Sequence, residues 1–230
     1  MRHNGHPSDR QRSDHVPGVR KLVMLDYDGV IVDSLAVFCR IVPPILAAHG
    51  FPHLATREDI IAFDDGNWFE SLASANVPMS AAKAIEDALA AEVTSGGSRL
   101  APFEGMPEVM ARLAERHSVV IVTSSHSAVV EDFLWRHGMS GVRGILGSDK
   151  DTSKVRKINE ARRHYGEGLD AWYVGDTVGD IIEGKAAGVG TIGAAWGWHS
   201  VEKLQSVSPD HIAYAPNELL ALSCLDAPSP

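Results

Sequence analysis

Lys21-Leu22-Val23-Met24-Leu25 is a short, mostly apolar run that stops at Asp26-Tyr27-Asp28-Gly29. Such a run, bounded by Asp and Gly, is typical of a buried strand that ends in a loop. The loop carries two carboxylates two positions apart. Taken alone, Asp-x-Asp-Gly also occurs in plain surface turns, so its meaning depends on the rest of the chain.

Apolar runs of the same kind recur along the chain and alternate with helical patterns. The further predicted strands are Ser118–Val122, Val142–Gly147, Ala171–Val174, Val189–Ala194 and the short His211–Ala213. The helical patterns lie at Pro107–His117, Ser127–His137, Ser153–Tyr165 and Val178–Ala187. This alternation indicates an α/β fold with a parallel sheet covered by helices on both faces. Ligand sites in such sheets lie at the carboxyl ends of the strands.

The segment 34–98 interrupts the alternation. It is Ala-rich and helical in pattern, without a convincing strand. Its predicted breaks are Pro43-Pro44, Gly50, Pro52, Gly66, Pro78 and Gly96-Gly97. We therefore predict a core domain of residues 20–33 and 99–225, with a helical domain of residues 34–98 inserted after the first strand. The polar, Gly- and Pro-containing residues 1–19 are predicted to be a disordered tail.

The composition disfavours several classes of protein. A formal charge of −9 argues against a nucleic-acid partner, because phosphate backbones require clustered Lys and Arg. The two cysteines, Cys39 and Cys224, are too few for a disulfide framework or a Cys-rich zinc site. No apolar run approaches the ~20 residues that cross a bilayer, and the first residues lack a signal-peptide core. We expect a cytoplasmic protein with no membrane partner; no sequence signal specifies its oligomeric state.

A second acidic motif follows the predicted strand Ala171–Val174. Gly175-Asp176-Thr177-Val178-Gly179-Asp180 places Asp176 at the strand end and Asp180 about one helical turn later. Carboxylates that converge at one rim repel each other unless a cation is present, and ligands that are all oxygens suit Mg²⁺. Helix capping explains one of these two aspartates but not both.

Hydroxyl groups follow the second predicted strand. Thr123 and Ser124 lie just before a helix, where a hydroxyl and backbone amides form an anion-binding corner. His126 follows this loop and is a candidate for contacting substrate. Trp196 and Trp198 are candidates for lining the mouth of the site, although packing is the commoner role of such residues. Candidates for substrate selection in the insert are Arg40, Asp64, Asp65 and Trp68.

One lysine is a candidate for neutralising a bound phosphoryl group. Lys154 lies at the start of a predicted helix, and Lys150 and Lys157 compete with it for this role. Because the net charge of the chain repels an anion, phosphate binding requires local positive charge from a metal ion, a lysine and backbone amides.

The order of these motifs resembles the haloacid dehalogenase-like hydrolase superfamily in its phosphatase branch. The resemblance depends on Leu25–Val30 and Val174–Asp180, with the hydroxyl and lysine motifs between them, and covers the chain from Lys21 to about Leu222. Gly193–Gly197 and Ser208–Asp210 are similar to the end of phosphoglycolate phosphatase-like members. The resemblance implies a Rossmann-like core with an alpha-helical cap inserted after the first strand.

The resemblance also implies roles for the residues of the motifs. Asp26 would be the nucleophile and a metal ligand. Asp28 would be the general acid and base and would offer its backbone carbonyl to Mg²⁺. Thr123 would bind the transferring phosphoryl oxygens, while Lys154 would hold the nucleophile and the phosphoryl charge.

The remaining implied roles concern the cofactor. Asp176 would bind Mg²⁺, and Asp180 would complete the coordination shell directly or through water. One departure from the family pattern concerns the third motif, where many relatives have Lys-Pro and this chain has Lys154-Val155. The assignment of Lys154 therefore rests on its position in the order of motifs.

These observations predict a Mg²⁺-dependent phosphatase that hydrolyses a small phosphorylated metabolite, phosphoglycolate-like or a sugar phosphate, through an aspartyl-phosphate intermediate. A β-phosphoglucomutase-like sugar-phosphate mutase is an alternative on the same scaffold, although the insert carries no signature for it. A non-catalytic protein that binds a phosphorylated metabolite is the alternative from a different class.

Overall fold

The computed structural model describes residues 21–54, 56–63, 68–94 and 100–225. The predicted tail at residues 1–19 and the predicted breaks at Gly66 and Gly96-Gly97 lie outside these ranges. Within them, six strands form one parallel sheet in the order β3-β2-β1-β4-β5-β6. The strands are β1 Lys21–Leu25, β2 Ser118–Val122, β3 Val142–Leu146, β4 Asp170–Gly175, β5 Gly190–Ala194 and β6 His211–Ala213. The predicted α/β class is therefore confirmed.

The central strand β1 sets the position of the first acidic motif. It pairs with β2 on one side and β4 on the other, so that Leu25 is in register with both Ile121 and Val174. The three strands consequently end at nearly the same level. Asp26 and the residues that follow β2 and β4 emerge side by side at the carboxyl edge of the sheet.

Helices surround the sheet and fill the insert. They are α1 Leu35–Ala48, α2 Arg57–Phe63, α3 Trp68–Ser74, α4 Met79–Thr94, α5 Met106–Arg116, α6 Ser127–Arg136, α7 Lys154–Tyr165, α8 Val178–Ala186 and α9 Val201–Ser206, with a 3₁₀ helix at Pro216–Ala221. The bounds of the helices predicted for the core differ from the observed ones by about one residue, whereas α9 was not predicted. Among the described helices, none has both the length and the apolar character needed to cross a bilayer.

The two faces of β1 are buried in different clusters, as the period of two along a strand requires. Val23 and Leu25 pack with residues of α5 and α6, whereas Leu22 and Met24 pack with residues of α7. All four side chains are fully buried. Burial on both faces explains why the run is continuously apolar rather than alternating.

Helices α1 to α4 pack around a separate hydrophobic cluster. It includes Phe38, Val42, Leu46 and Ile85 from the insert, together with Trp198 from the loop after β5. An insert with its own hydrophobic cluster is consistent with the predicted division at residues 34–98, whose exact bounds stay a prediction.

The predicted break at Pro43-Pro44 is wrong, because α1 continues through both prolines. Proline removes a backbone donor but fixes φ at a value close to the helical one. Val42 and Leu46, one turn apart, are both fully buried. Packing of this apolar face therefore outweighs the two missing N–H donors. The predicted breaks at Gly50, Pro52 and Pro78 do lie between helices.

Candidate active site

Residues from four elements meet at the carboxyl edge of the sheet. Asp26 follows β1, Thr123 follows β2, Asp176 follows β4, and Lys154 is the first residue of α7. Each of these polar side chains is buried, with an exposed fraction of 5% or less. Buried polar groups require partners, and the contacts below supply most of them.

Three aspartates and one lysine form the centre of the site. One carboxylate oxygen each of Asp26, Asp176 and Asp180 lies within 4.8 Å of the other two. The Lys154 ammonium donates to Asp26 Oδ2 at 2.7 Å and to Asp180 Oδ1 at 2.6 Å. One ammonium thus faces three carboxylates, which leaves the cluster with excess negative charge when all three are ionised.

The pKa values reflect this imbalance. Burial raises the pKa of Asp26 to about 7 against the opposing charge of Lys154. Burial, reinforced by the charges of Asp180 and Asp26, raises the pKa of Asp176 well above its usual range. Burial also acts to raise the pKa of Asp180. The charge of Lys154 and the hydrogen bonds from Lys154 and Thr177 outweigh burial, so the pKa of Asp180 is lowered. For Lys154, burial opposes protonation, yet the two carboxylates raise its pKa.

One carboxylate oxygen of Asp176 indicates whether a cation fits the acidic cluster. Asp176 Oδ2 accepts a hydrogen bond from the Trp198 backbone N–H at 2.7 Å. Its Oδ1 is buried and has no hydrogen-bond partner among the described residues. An orphaned, buried carboxylate oxygen is costly unless a positive group meets it. The all-oxygen donor set therefore fits a hard divalent cation.

Asp180 is held by its neighbours on both carboxylate oxygens. Oδ1 accepts from Lys154 and from the Tyr173 hydroxyl at 3.0 Å, and Oδ2 accepts from the Thr177 backbone N–H and hydroxyl. With Thr177, Asp180 forms a capping box at the start of α8. Capping thus accounts for one of the two motif aspartates, and the same carboxylate also orients Lys154.

Two glycines let the backbone approach Asp176. At Gly29, φ is +75°, and an added Cβ would lie 1.9 Å from Asp176 Oδ2. At Gly197, an added Cβ would lie 2.3 Å from Asp176 Cβ. Any side chain at either position would displace the carboxylate, so the small residues are part of the site.

Asp28 lies beside the central cluster and is partly exposed to the cavity. Its Oδ2 accepts from the Ser125 hydroxyl at 2.6 Å. Burial raises the pKa of Asp28, although the hydrogen bond from Ser125 and the charge of Lys154 act to lower it. A carboxyl group with a raised pKa is suited to proton transfer near neutral pH.

Ser125 was missed at the sequence level, where Ser124 was named instead. Both hydroxyls follow Thr123, and only the loop conformation decides which one reaches Asp28. The Thr123 hydroxyl accepts from the Ser125 backbone N–H at 3.0 Å. The Ser124 hydroxyl lines the cavity and is buried without a partner among the described residues, which leaves a donor available to a ligand.

The geometry distinguishes the three candidate lysines. Lys154 contacts Asp26 directly, whereas the exposed Lys150 pairs with Asp149 at 3.0 Å. Lys157 is fully buried and donates to the backbone carbonyl of Thr123. Burial, with the charge of Lys154, lowers the pKa of Lys157 to about 8. Lys157 thus contacts the loop after β2 from beneath the site.

A cavity of about 100 Å³ lies between the acidic cluster and the insert. On the core side it is lined by Asp26, Asp28, Thr123, Ser124, Ser125, His126, Val129, Lys154, Asp176, Thr177 and Trp198. On the insert side it is lined by Phe38, Trp68, Ala82, Ile85, Glu86, Leu89 and Ala90. The rings of Phe38 and Trp198 lie 5.0 Å apart, centroid to centroid, and join the two sides. Of the candidates named from the sequence, Trp68 and Trp198 line this cavity, whereas Trp196 and Arg40 do not. Asp64 and Asp65 lie outside the described residues.

Comparison with known proteins gives consistent results. The family model described as haloacid dehalogenase-like hydrolase matches residues 23–194. The chain is 25% identical, over 90% of its length and 97% of the relative's, to a phosphoglycolate phosphatase from Vibrio parahaemolyticus. It is 30% identical to a 5'-nucleotidase from Pseudomonas aeruginosa over 47% of this chain and 52% of that one. A solved haloacid dehalogenase-like family hydrolase from Streptococcus pneumoniae superimposes with a TM-score of 0.72 at 20% identity, covering 88% of this chain and 97% of that one.

Proposed function

Because the chain belongs to the haloacid dehalogenase-like hydrolase family, we propose that it is a phosphatase that hydrolyses a small phosphorylated metabolite. In this proposal Mg²⁺ is the cofactor and Asp26 is the nucleophile. The observation that carries the proposal is the buried cluster of Asp26, Asp176 and Asp180 around one lysine, at the floor of a cavity. The Vibrio phosphoglycolate phosphatase and the Pseudomonas 5'-nucleotidase are both named for hydrolysis of phosphate monoesters, which supports this reaction class.

Asp26 is held in one orientation by two donors. Its Oδ1 accepts the Tyr27 backbone N–H at 2.7 Å, and its Oδ2 accepts Lys154. In the proposed first step, an Asp26 carboxylate oxygen forms a bond to phosphorus while the bond from phosphorus to the ester oxygen breaks. The phosphoryl group is then an acyl phosphate on Asp26. A preset orientation favours the in-line approach that this transfer needs.

Asp28 supplies and removes the protons. As the ester bond breaks, protonated Asp28 gives its proton to the leaving alkoxide, which departs as an alcohol. Ionised Asp28 then takes a proton from a water molecule, and the oxygen of that water attacks the phosphorus of the acyl phosphate. Inorganic phosphate leaves and the Asp26 carboxylate is restored. The raised pKa of Asp28, caused by burial, is what both steps require.

The phosphoryl oxygens need positive charge and hydrogen-bond donors. In the proposal, Lys154 offsets their charge, and the hydroxyls of Thr123 and Ser124 donate to them. The cation would be held by Asp26, Asp176 and the backbone carbonyl of Asp28, with Asp180 contributing directly or through water. When bound, Mg²⁺ supplies charge that offsets the repulsion between the Asp26 carboxylate and the phosphate dianion.

The test is phosphate release from a panel of phosphorylated metabolites, with Mg²⁺ and with EDTA. We expect release by the parent protein only with the cation, and none by Asp26→Asn. Asp33→Asn is the matched control, because Asp33 is an exposed aspartate seven residues further on. Absence of release across the panel would favour the non-catalytic reading. Isomerisation of a sugar phosphate without net release would favour the mutase.

A further inference from the structure

The side of the cavity that faces away from the acidic cluster is mostly apolar. Phe38, Trp68, Ile85 and Leu89 line it from the insert, together with two alanines. In a phosphate monoester bound with its phosphoryl group at Asp26, the leaving group would occupy this side. Apolar walls stabilise an apolar leaving group by removing its surface from water.

Glu86 is the one charged side chain that the described part of the insert contributes to the cavity lining. It lies on α4 on the same face as Ala82 and Leu89, in agreement with helical spacing. Its Oε1 accepts a hydrogen bond from the Ser148 hydroxyl of the core at 3.1 Å. This bond fixes the carboxylate at the junction of insert and core.

No positive charge from the described insert balances Glu86 within the cavity. Arg40, Arg57 and Lys83 are the described cations of the insert, and none of them lines the cavity. Lys83 is exposed and pairs with Asp87 at 3.0 Å on the outer side of α4, and its charge also acts on Glu86 from outside the cavity. A carboxylate on the leaving group would therefore meet Glu86 with no positive side chain of the described insert beside it in the cavity.

The described core lining also places no lysine or arginine at the leaving-group end of the cavity. Among the described lining residues, Lys154 is the only lysine or arginine, and both of its contacts are at the phosphoryl end. His126 accepts the Ala128 backbone N–H through Nδ1 at 3.2 Å. Through this contact Nδ1 caps the start of α6.

We infer that the leaving group of the substrate is an uncharged alcohol with an apolar body, and that Glu86 excludes carboxylate-bearing leaving groups such as that of phosphoglycolate. The inference rests on the proposed phosphatase function and narrows its substrate class. It separates this chain from the activity that its Vibrio relative is named for. The mechanism of exclusion is repulsion of like charges in a partly desolvated cavity.

Two esters of matched shape test the inference. Isobutyl phosphate has methyl groups where 2-phosphoglycolate has carboxylate oxygens, so the two differ mainly in charge. With Mg²⁺ present, we expect the parent kcat/KM for isobutyl phosphate to exceed that for 2-phosphoglycolate by about tenfold or more. In Glu86→Gln, the ratio of the two constants should fall by about tenfold, because the amide keeps the shape and removes the charge. The matched control Asp87→Asn, on the adjacent exposed position of α4, should leave the ratio unchanged.

The possible outcomes separate this inference from the proposal beneath it. A parent enzyme that prefers 2-phosphoglycolate, or a ratio that Glu86→Gln does not lower, would overturn the inference while leaving the phosphatase function intact. If neither ester and no member of the metabolite panel releases phosphate, both the inference and the proposed phosphatase function are overturned.

Discussion

Replacing Asp26 with Asn should make the metal-free protein more stable while it removes the activity. Three buried carboxylates share one ammonium, and burial raises the pKa of Asp26 from 3.8 to about 7. A raised pKa means that the folded state holds the Asp26 proton more tightly than the unfolded state does. The free energy of unfolding therefore decreases as pH rises from about 4 to about 7, and a neutral Asn avoids this loss.

The size of the effect follows from the difference between the two pKa values. At about 1.4 kcal/mol per unit, the change from 3.8 to about 7 corresponds to at most about 4 kcal/mol at pH 8. Asn has one carbonyl oxygen in place of the two that accept from Tyr27 and Lys154. Losing one charge-assisted hydrogen bond costs about 1.5–3 kcal/mol. We expect a net gain in the free energy of unfolding of about 1–2 kcal/mol.

Urea denaturation in EDTA measures this gain directly. The parent, Asp26→Asn and the exposed control Asp33→Asn are compared at pH 8 and at about pH 5.5. The advantage of Asp26→Asn should shrink by about 2 kcal/mol at the lower pH, where the folded parent keeps its Asp26 proton. Adding Mg²⁺ at pH 8 should stabilise the parent more than the variant. A variant less stable than the parent at pH 8, or a difference independent of pH, would show that the buried Asp26 carboxylate does not destabilise the folded protein.

Two further predictions concern the neighbours of the cluster. Gly29→Ala and Gly168→Ala both add a side chain at positive φ, but only the first would meet Asp176, because nothing lies within 4 Å of the second. In urea denaturation, the free energy of unfolding should fall by about 1–2 kcal/mol for Gly168→Ala and by more for Gly29→Ala. Gly29→Ala should also weaken Mg²⁺-dependent phosphate release. Equal effects of the two substitutions would contradict the close approach of Gly29 to Asp176. Removing the hydroxyl in Ser125→Ala should raise the pKa of Asp28, since that hydroxyl stabilises its carboxylate form. The alkaline limb of the pH profile of kcat/KM should then move to higher pH, and a shift to lower pH would argue against Asp28 as the acid.

The sheet was the most predictable part of the molecule. Lys21–Leu25, Ser118–Val122 and His211–Ala213 were predicted with the bounds that the structure has. Buried parallel strands are short, continuously apolar and followed by polar residues, so both of their ends are visible in the sequence. The strand order, which was not predicted, places the two acidic motifs on the adjacent strands β1 and β4.

The features that sequence reasoning missed all depend on tertiary packing. Pro43-Pro44 carries a strong local signal for a helix end, but burial of the apolar face of α1 overrides it. Ser125 rather than Ser124 reaches Asp28 because of a loop conformation that no spacing encodes. The position of Glu86 opposite the acidic cluster requires the insert to fold back over the core. The roles of the candidate site residues stay predictions until variants are assayed.

The covalent intermediate on Asp26 can be sought by locating the phosphoryl group during turnover. The parent protein, mixed with Mg²⁺ and a hydrolysed ester, is quenched in acid within the first turnover and digested for mass spectrometry. We expect one phosphoryl group on the peptide that contains Asp26, at Asp26 itself, and none in Asp26→Asn. Phosphate release without a phosphoryl group on Asp26, or undiminished release by Asp26→Asn, would contradict the role of Asp26 as the nucleophile.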